Sequence, residues 1–199
     1  MIKKISPGEA YRKLSKLPGF EADEDGMGHK IDSLRCRVWI RNARAGDEVF
    51  ESESFGSLNI SEMYRRFAGQ EGRPWELAIA DAVNNTARSE INTTYAKSIP
   101  KARLQEPIII AFASDGWHVI DGSHRIHRLA ALRKKSVFAW PATPALLRVA
   151  RIRKFVMGLD GTWRDDDTVA QARFEHEMRG AEQFLNRMQA TMASRQNGR

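Results

Sequence analysis

The segment Asp121-Gly122-Ser123-His124-Arg125-Ile126-His127-Arg128 gathers two histidines, two arginines, a carboxylate and a hydroxyl into eight residues. Val119-Ile120 before it reads as the end of a buried strand, and Leu129 to Leu132 after it as a helix with small residues. The polar group therefore falls on the first turn of that helix. A helix start presents unpaired backbone N–H groups and partial positive charge, which together attract anions. Gly122 permits a sharp turn and a close approach of backbone to ligand. Arg125 can add a bidentate, charge-assisted pair of hydrogen bonds. The expected chemistry is phosphate recognition by Asp121, Gly122, Ser123, His124 and Arg125.

Each of these residues admits more than one role. His124 suits a phosphate donor, a general acid or an orienting group, since imidazole titrates near neutrality; a histidine satisfied by a local carbonyl is the plainer reading. The Ser123 hydroxyl either caps the helix or touches the phosphate. Asp121 binds a metal, holds Arg125, or is simply the turn residue before glycine. His127 and Arg128 lie on the same side of the helix as His124 and either extend a basic face or keep the surface soluble. Phosphodiester hydrolysis also needs a group that orients the nucleophile, and usually a metal. Glu90 and Glu106 are the candidate carboxylates near this segment. Asp165-Asp166-Asp167 precedes a helix and reads as a cap with favourable helix-dipole charge. Trp117 and Trp140 are either base-stacking platforms or packing residues at strand ends.

The formal net charge of the 199 residues is +7, and it is unevenly placed. From Gly122 to Leu159 there is no acid, while Arg125, Arg128, Arg133, Lys134, Lys135, Arg148, Arg151, Arg153 and Lys154 supply nine cations. Such a run attracts polyanions. Apart from Arg125, these residues form the expected nucleic-acid surface, with a solvated basic face as the plainer alternative. Hydrophobic content of 42% excludes a wholly disordered chain. No apolar stretch approaches the roughly 18 residues of a membrane span, and Met1 to Pro7 lacks the apolar run of a secretory signal. Cys36, the single cysteine, builds no disulfide framework and joins no zinc-like spacing, so a cytoplasmic chain without membrane insertion is expected.

Around this segment the sequence predicts an α/β chain. Ser6-Pro7-Gly8-Glu9 is a capping box opening a helix to about Leu17. Leu34 to Ile40 alternates as a strand, with Val49 to Phe55 as its weaker partner. Ser61 to Phe67 is a short helix, and a second is expected from Arg73-Pro74-Trp75 through Val83. Pro107 to Phe112 and Trp117 to Ile120 are two strands joined by a Ser114-Asp115-Gly116 turn. Leu146 to Phe155 mixes aliphatic and basic residues at near-helical spacing, and Gly158 and Gly161 break it. Asp167 caps a last helix from Thr168 to about Met192. Three blocks are expected: 1–85 as an N-terminal α/β extension, 86–145 as the phosphate-binding core, and 146–199 as a basic segment with the final helix.

Asp-Gly-x-His-Arg followed by a small-residue helix, with the flanking strand pair, resembles the ParB/sulfiredoxin superfamily and in particular its ParB-like nuclease branch. The resemblance covers Ala87 to Trp140. It implies a ParB/sulfiredoxin-like core with N-terminal and C-terminal helical additions. Ser123 stands where sulfiredoxins carry their reactive cysteine. Ser123 and His124 replace the Glu and first Arg of the nucleotide box of ParB partition proteins. Free-amino-acid kinases of the superfamily carry a related Gly-His-His-Arg-like motif. Size, charge and motif are most similar to small plasmid fertility-inhibition proteins with ATPase and DNA-cleaving activity. The resemblance thus implies ATP or another nucleotide as ligand, Mg²⁺ as a candidate ion, DNA as substrate, and a protein partner in transfer inhibition. It also points to His124 and Glu90 as the catalytic pair, because family members place acidic residues in the segment that holds Glu90. A non-catalytic DNA-binding or adaptor protein, and a small-molecule kinase, are the alternative readings.

Overall fold

The computed structural model describes residues 6–16, 21–22, 28–33, 36–69, 72–86, 91–166 and 168–197. The chain is mixed α/β, and among the described residues its strands form three sheets. Two compact units emerge: Met1–Ala68 with Ala145–Glu177, and Gly69–Pro144 with Met178–Arg199. These divide the chain differently from three consecutive sequence blocks. The second unit takes up the residues after Ala68, and the C-terminal block is shared between both.

In the first unit, α1 (Pro7–Leu14) starts where its capping box predicts, with the Ser6 hydroxyl accepting the Glu9 N–H. Strands β1 (Glu21–Ala22), β2 (Gly28–Ser33) and β3 (Cys36–Arg41) follow, then β4 (Val49–Ser52), β5 (Gly56–Asn59) and α2 (Ile60–Ala68). The expected partnership of Leu34–Ile40 with Val49–Phe55 is not formed. β3 lies between β2 and β10 (Arg153–Met157), and β4 pairs with β5 instead. The stretch Leu146–Phe155, read as helical, is α6 (Pro144–Ala150) and then strand β10. Sheet pairing to β3 and to β11 (Trp163–Asp165) overrides the weak helical spacing there. Ala10, Tyr11, Ile40, Ala43 and Ile152 form a core of this unit.

The second unit carries the segment of interest. Trp75 to Ala78, expected as the start of a helix, is strand β6, and α3 (Ile79–Asn84) is only the remainder. β6 is antiparallel to β9 (Ser136–Ala142), some sixty residues later, a pairing that local periodicity does not reveal. After α4 (Thr93–Ser98), β7 (Ile108–Ala113) and β8 (Gly116–Asp121) make the expected hairpin, with Ala113 paired to Gly116 across a Ser114-Asp115 turn. α5 (Ser123–Ala131) then returns the chain to β9, which runs parallel to β7. The sheet order is β6-β9-β7-β8. Every residue of β7 is buried, as befits an inner strand written Ile-Ile-Ile-Ala-Phe-Ala. Ile108, Ile110 and Phe112 share one face with Val119, Val137 and Ala139, and Ile126 and Leu129 of α5 close over them. Ala181, Phe184, Leu185 and Met188 of α7 (Thr168–Asn197) pack on the same core. Val169, in the first turn of that helix, is 70% exposed.

Candidate functional site

The turn between β8 and α5 is fixed by three local features. A register shift at Ile109/Ile110 leaves Ile109 opposite Asp121 and so alters the direction in which β8 ends. Gly122 then adopts φ +96°, a left-handed conformation unfavourable for other residues. A Cβ at Gly122 would lie 2.4 Å from Cγ2 of Ile108, so the backbone there packs directly against β7. Gly122 is the N-cap of α5, which puts Ser123 at the first helical position rather than at the cap. This corrects the capping role expected of the serine. No side chain caps the helix, and among the described residues no acceptor meets the Ser123 or His124 N–H. The first intrahelical bond runs from Ile126 N–H to the Gly122 carbonyl.

Arg125 is placed differently from the expected phosphate fork. Its side chain is 7% exposed and turns toward oxygens of the protein itself. Nη2 donates to Asp121 Oδ2, while Nη1 reaches the carbonyls of Glu106 at 3.1 Å and Pro107 at 3.3 Å. Glu106 Oε2 lies at 3.5 Å from the same nitrogen. The physical reason is the i,i+4 spacing of Asp121 and Arg125 across the turn, which brings carboxylate and guanidinium together. Asp121 thus holds Arg125, one of the roles open to it, and Arg125 ties the start of β7 to the start of α5.

His124 points to α4. Its Nε2 accepts the Asn92 N–H at 3.1 Å, so in this contact the neutral ring carries its proton on Nδ1. Its ring stands edge-on to Tyr95 with centroids 5.1 Å apart. Asn92 also caps α4 by accepting the Tyr95 N–H. His127 has the opposite arrangement. The Thr86 hydroxyl donates to the Val83 carbonyl at 2.7 Å, so His127 Nε2–H donates to the Thr86 oxygen at 3.3 Å. Asn92, Tyr95 and Thr86 were not singled out by sequence. Asn92 before Thr93-Thr94 is a cap signature, but its contact with His124 is non-local.

Glu90 lies outside the described residues, as does Asp167. Glu106, the other carboxylate candidate, is half exposed and joins the Arg125 cluster. Asp165 and Asp166 do not act as a cap: Asp165 pairs with Arg153 at 2.6 Å and Asp166 with Lys154 at 2.6 Å. Trp117 packs on the core of the second unit. Among the described residues there is no group of three metal-ligating side chains, and the Asp121 carboxylate faces a guanidinium. Of the carboxylates described near α5, Asp121 and Glu106 both meet Arg125.

The acid-free basic run resolves into two different sets. Arg148, Arg151, Arg153 and Lys154 belong to the first unit, and acids distant in sequence or buried contacts engage them. Arg148 meets Glu175 at 3.0 Å. Arg151 is 4% exposed, donates to Gln171 Oε1 at 2.6 Å, and lies 4.4 Å above the Phe174 ring. Lys154 is 7% exposed beside Asp166. Arg151 and Lys154 are buried with these partners, while Arg148 and Arg153 are partly exposed and each engages an acid. Arg128, Arg133, Lys134 and Lys135 belong to the second unit, and among the described residues no acid pairs with them. Arg128 is half buried and the other three are exposed.

Among the described residues no helix is long and apolar enough to cross a membrane. No protein-family model, curated protein or solved structure matches the chain.

Proposed function

We propose that the second unit is a ParB-like domain that binds the phosphates of ATP or another nucleotide at the start of α5 and hydrolyses phosphoanhydride or phosphodiester bonds, with DNA as its polymeric partner. One observation carries this reading: α5 begins on a left-handed glycine pressed against Ile108, with no side chain capping its first N–H groups. Those groups carry roughly half a unit of positive charge and suit a phosphate oxygen. The hairpin β7–β8, the Gly122 turn and α5 follow one another in the order on which the resemblance rests, which supports the reading. Ser123 at the first turn offers a hydroxyl to the same anion. His124, held by Asn92, would use its Nδ1–H as a donor to the phosphate or leaving group. In hydrolysis a water oxygen bonds to phosphorus, the bond to the leaving oxygen breaks, and that oxygen gains a proton. Glu90, the carboxylate that the resemblance pairs with His124, would orient the water, since Glu106, like Asp121, meets Arg125. Cations without an acid on and after α5, Arg128, Arg133, Lys134 and Lys135, would hold the DNA backbone.

The test places a fixed negative charge where the phosphate would sit. Asp is favourable on a helix first turn, so Ser123→Asp retains the fold while repelling or replacing the anion. Calorimetric titration with ATP and CTP should show binding to the wild type and a loss of about tenfold or more in the variant. Equal affinity in both, or none in the wild type, overturns the reading. Phosphate release and plasmid nicking, with and without Mg²⁺, then separate hydrolysis from binding alone. The binding-only, adaptor-like reading draws support from Asp121, whose carboxylate is turned to Arg125 rather than to the ligand side.

A further inference from the structure

Beside the C-terminal end of α5 the second unit has a wide-open groove of about 540 Å³. Ala80, Val83 and Asn84 of α3 form one wall, Ala130 of α5 contributes to the floor, and Lys134 and Lys135 stand at its edge. No carboxylate is among its lining residues. The edge is rigid on its backbone. Lys134 N–H bonds to the Leu129 carbonyl and Arg133 N–H to the Ala130 carbonyl, the paired bonds that end a helix through a left-handed residue, here Arg133 at φ +55°. The Lys135 carbonyl in turn accepts the Ile79 N–H that opens α3. Two exposed ammonium groups are therefore carried on a pinned segment next to an aliphatic floor.

We infer that this groove docks an acidic, aliphatic segment of a partner protein: an amphipathic helix whose leucine-type side chains enter between α3 and α5 and whose carboxylates meet Lys134 and Lys135. The charge is complementary, and the floor selects the chemistry. It has no aromatic ring on which a nucleobase would stack and a single amide, Asn84, to read polar edges. A small ligand is disfavoured by the openness, because small-molecule sites bury most of their ligand's surface. A helix laid along a groove covers it with anchors spaced three and four residues apart. This inference stands apart from the phosphate site, since the groove lies at the opposite end of α5 from Gly122, roughly 13 Å along the helix, but it shares Lys134 and Lys135 with the DNA reading, which the duplex probe below separates from it.

The probe is a fluorescent helical peptide of about four turns with leucines on one face and glutamates elsewhere. A second peptide keeps the glutamates and replaces leucine by serine. Fluorescence anisotropy should show saturable binding of the leucine peptide and at least about tenfold weaker binding of the serine peptide. Ala80 is exposed, so Ala80→Trp fills the groove from outside the core; it should weaken the leucine peptide about tenfold with an unchanged melting temperature. The double variant Lys134→Glu, Lys135→Glu should do the same by charge reversal. Duplex DNA serves as the third probe, and a nucleic-acid surface would respond to the lysine variant and not to Ala80→Trp. Leucine-peptide affinity that is absent, indifferent to Ala80→Trp, or equal to that of the serine peptide overturns the inference. Binding of ATP to the same preparations reports separately on the phosphate site.

Discussion

Replacing Arg125 with methionine distinguishes a structural arginine from a ligand-binding one. Methionine retains much of the aliphatic stem and removes the guanidinium that meets Asp121, the Glu106 carbonyl and the Pro107 carbonyl. Each lost carbonyl bond is long enough to count for about 0.5–1 kcal/mol. The Asp121 pair counts for more, yet its carboxylate is 26% exposed and regains water, so about 1.5–2 kcal/mol is the fair share. The sum is about 3 kcal/mol, localised to the junction of β7, β8 and α5. Because the chain has two compact units, hydrogen exchange by mass spectrometry is the right assay, since it reads each segment separately. Amides protected within 108–131 should exchange about a hundredfold faster in the variant. The Arg125→Met, Asp121→Asn double variant should cost little more than Arg125→Met alone, as expected for coupled partners. Protection within about threefold of wild type, combined with a tenfold or greater loss of nucleotide affinity, would refute this reasoning and restore Arg125 as the phosphate fork.

Four further outcomes are expected. Gly122→Ala combines left-handed backbone strain with a clash on Ile108, and should destabilise the second unit by about 2–4 kcal/mol in urea unfolding; a cost under about 0.5 kcal/mol would contradict the close approach. Arg133→Gly relieves a left-handed residue at the end of α5 and should raise stability by about 0.5–1 kcal/mol, seen as a higher melting temperature. In the first unit, burial pushes the Asp47 carboxyl up, but the Arg65 guanidinium, the Arg44 N–H and the Asn59 amide hold it below its ordinary value. For Glu51, burial likewise opposes, and the Ser6 and Ser57 hydroxyls with Arg12 hold it low. Stability from such depressed acids is fully present above the unfolded value near 4 and is lost as pH falls through the lower folded value. Acid titration of unfolding free energy should therefore fall in that window for wild type and fall less for Asp47→Asn. If DNA binds, four acid-free cations allow a salt slope of at most about 3.6 in log–log form. Arg148→Gln with Arg153→Gln should leave that slope unchanged, while glutamine at Arg133, Lys134 and Lys135 should flatten it.

What the sequence determined by itself is what short-range physics encodes. Ser6-Pro7-Gly8-Glu9 opened α1 because cap, proline and acid act within one turn. Ser114-Asp115-Gly116 set the β7–β8 hairpin, and Gly122 set the start of α5, because each turn demands particular residues within a few positions. The inner strand Ile108–Ala113 was legible as an unbroken apolar run. Tertiary structure decided the rest. Trp75–Ala78 became a strand since its hydrogen-bond partners, Ser136–Ala139, lie some sixty residues away, and that pairing outweighs weak local preference. The basic run was plain in the sequence, but the acids that engage much of it were not adjacent: Arg153 meets Asp165 and Arg148 meets Glu175, 12 and 27 residues on. Arg125 could be placed at the anion-attracting end of a helix from sequence, but not aimed. A buried guanidinium goes where the folded chain supplies oxygens, and the carbonyls of Glu106 and Pro107 come to it only when β7 is laid beside β8.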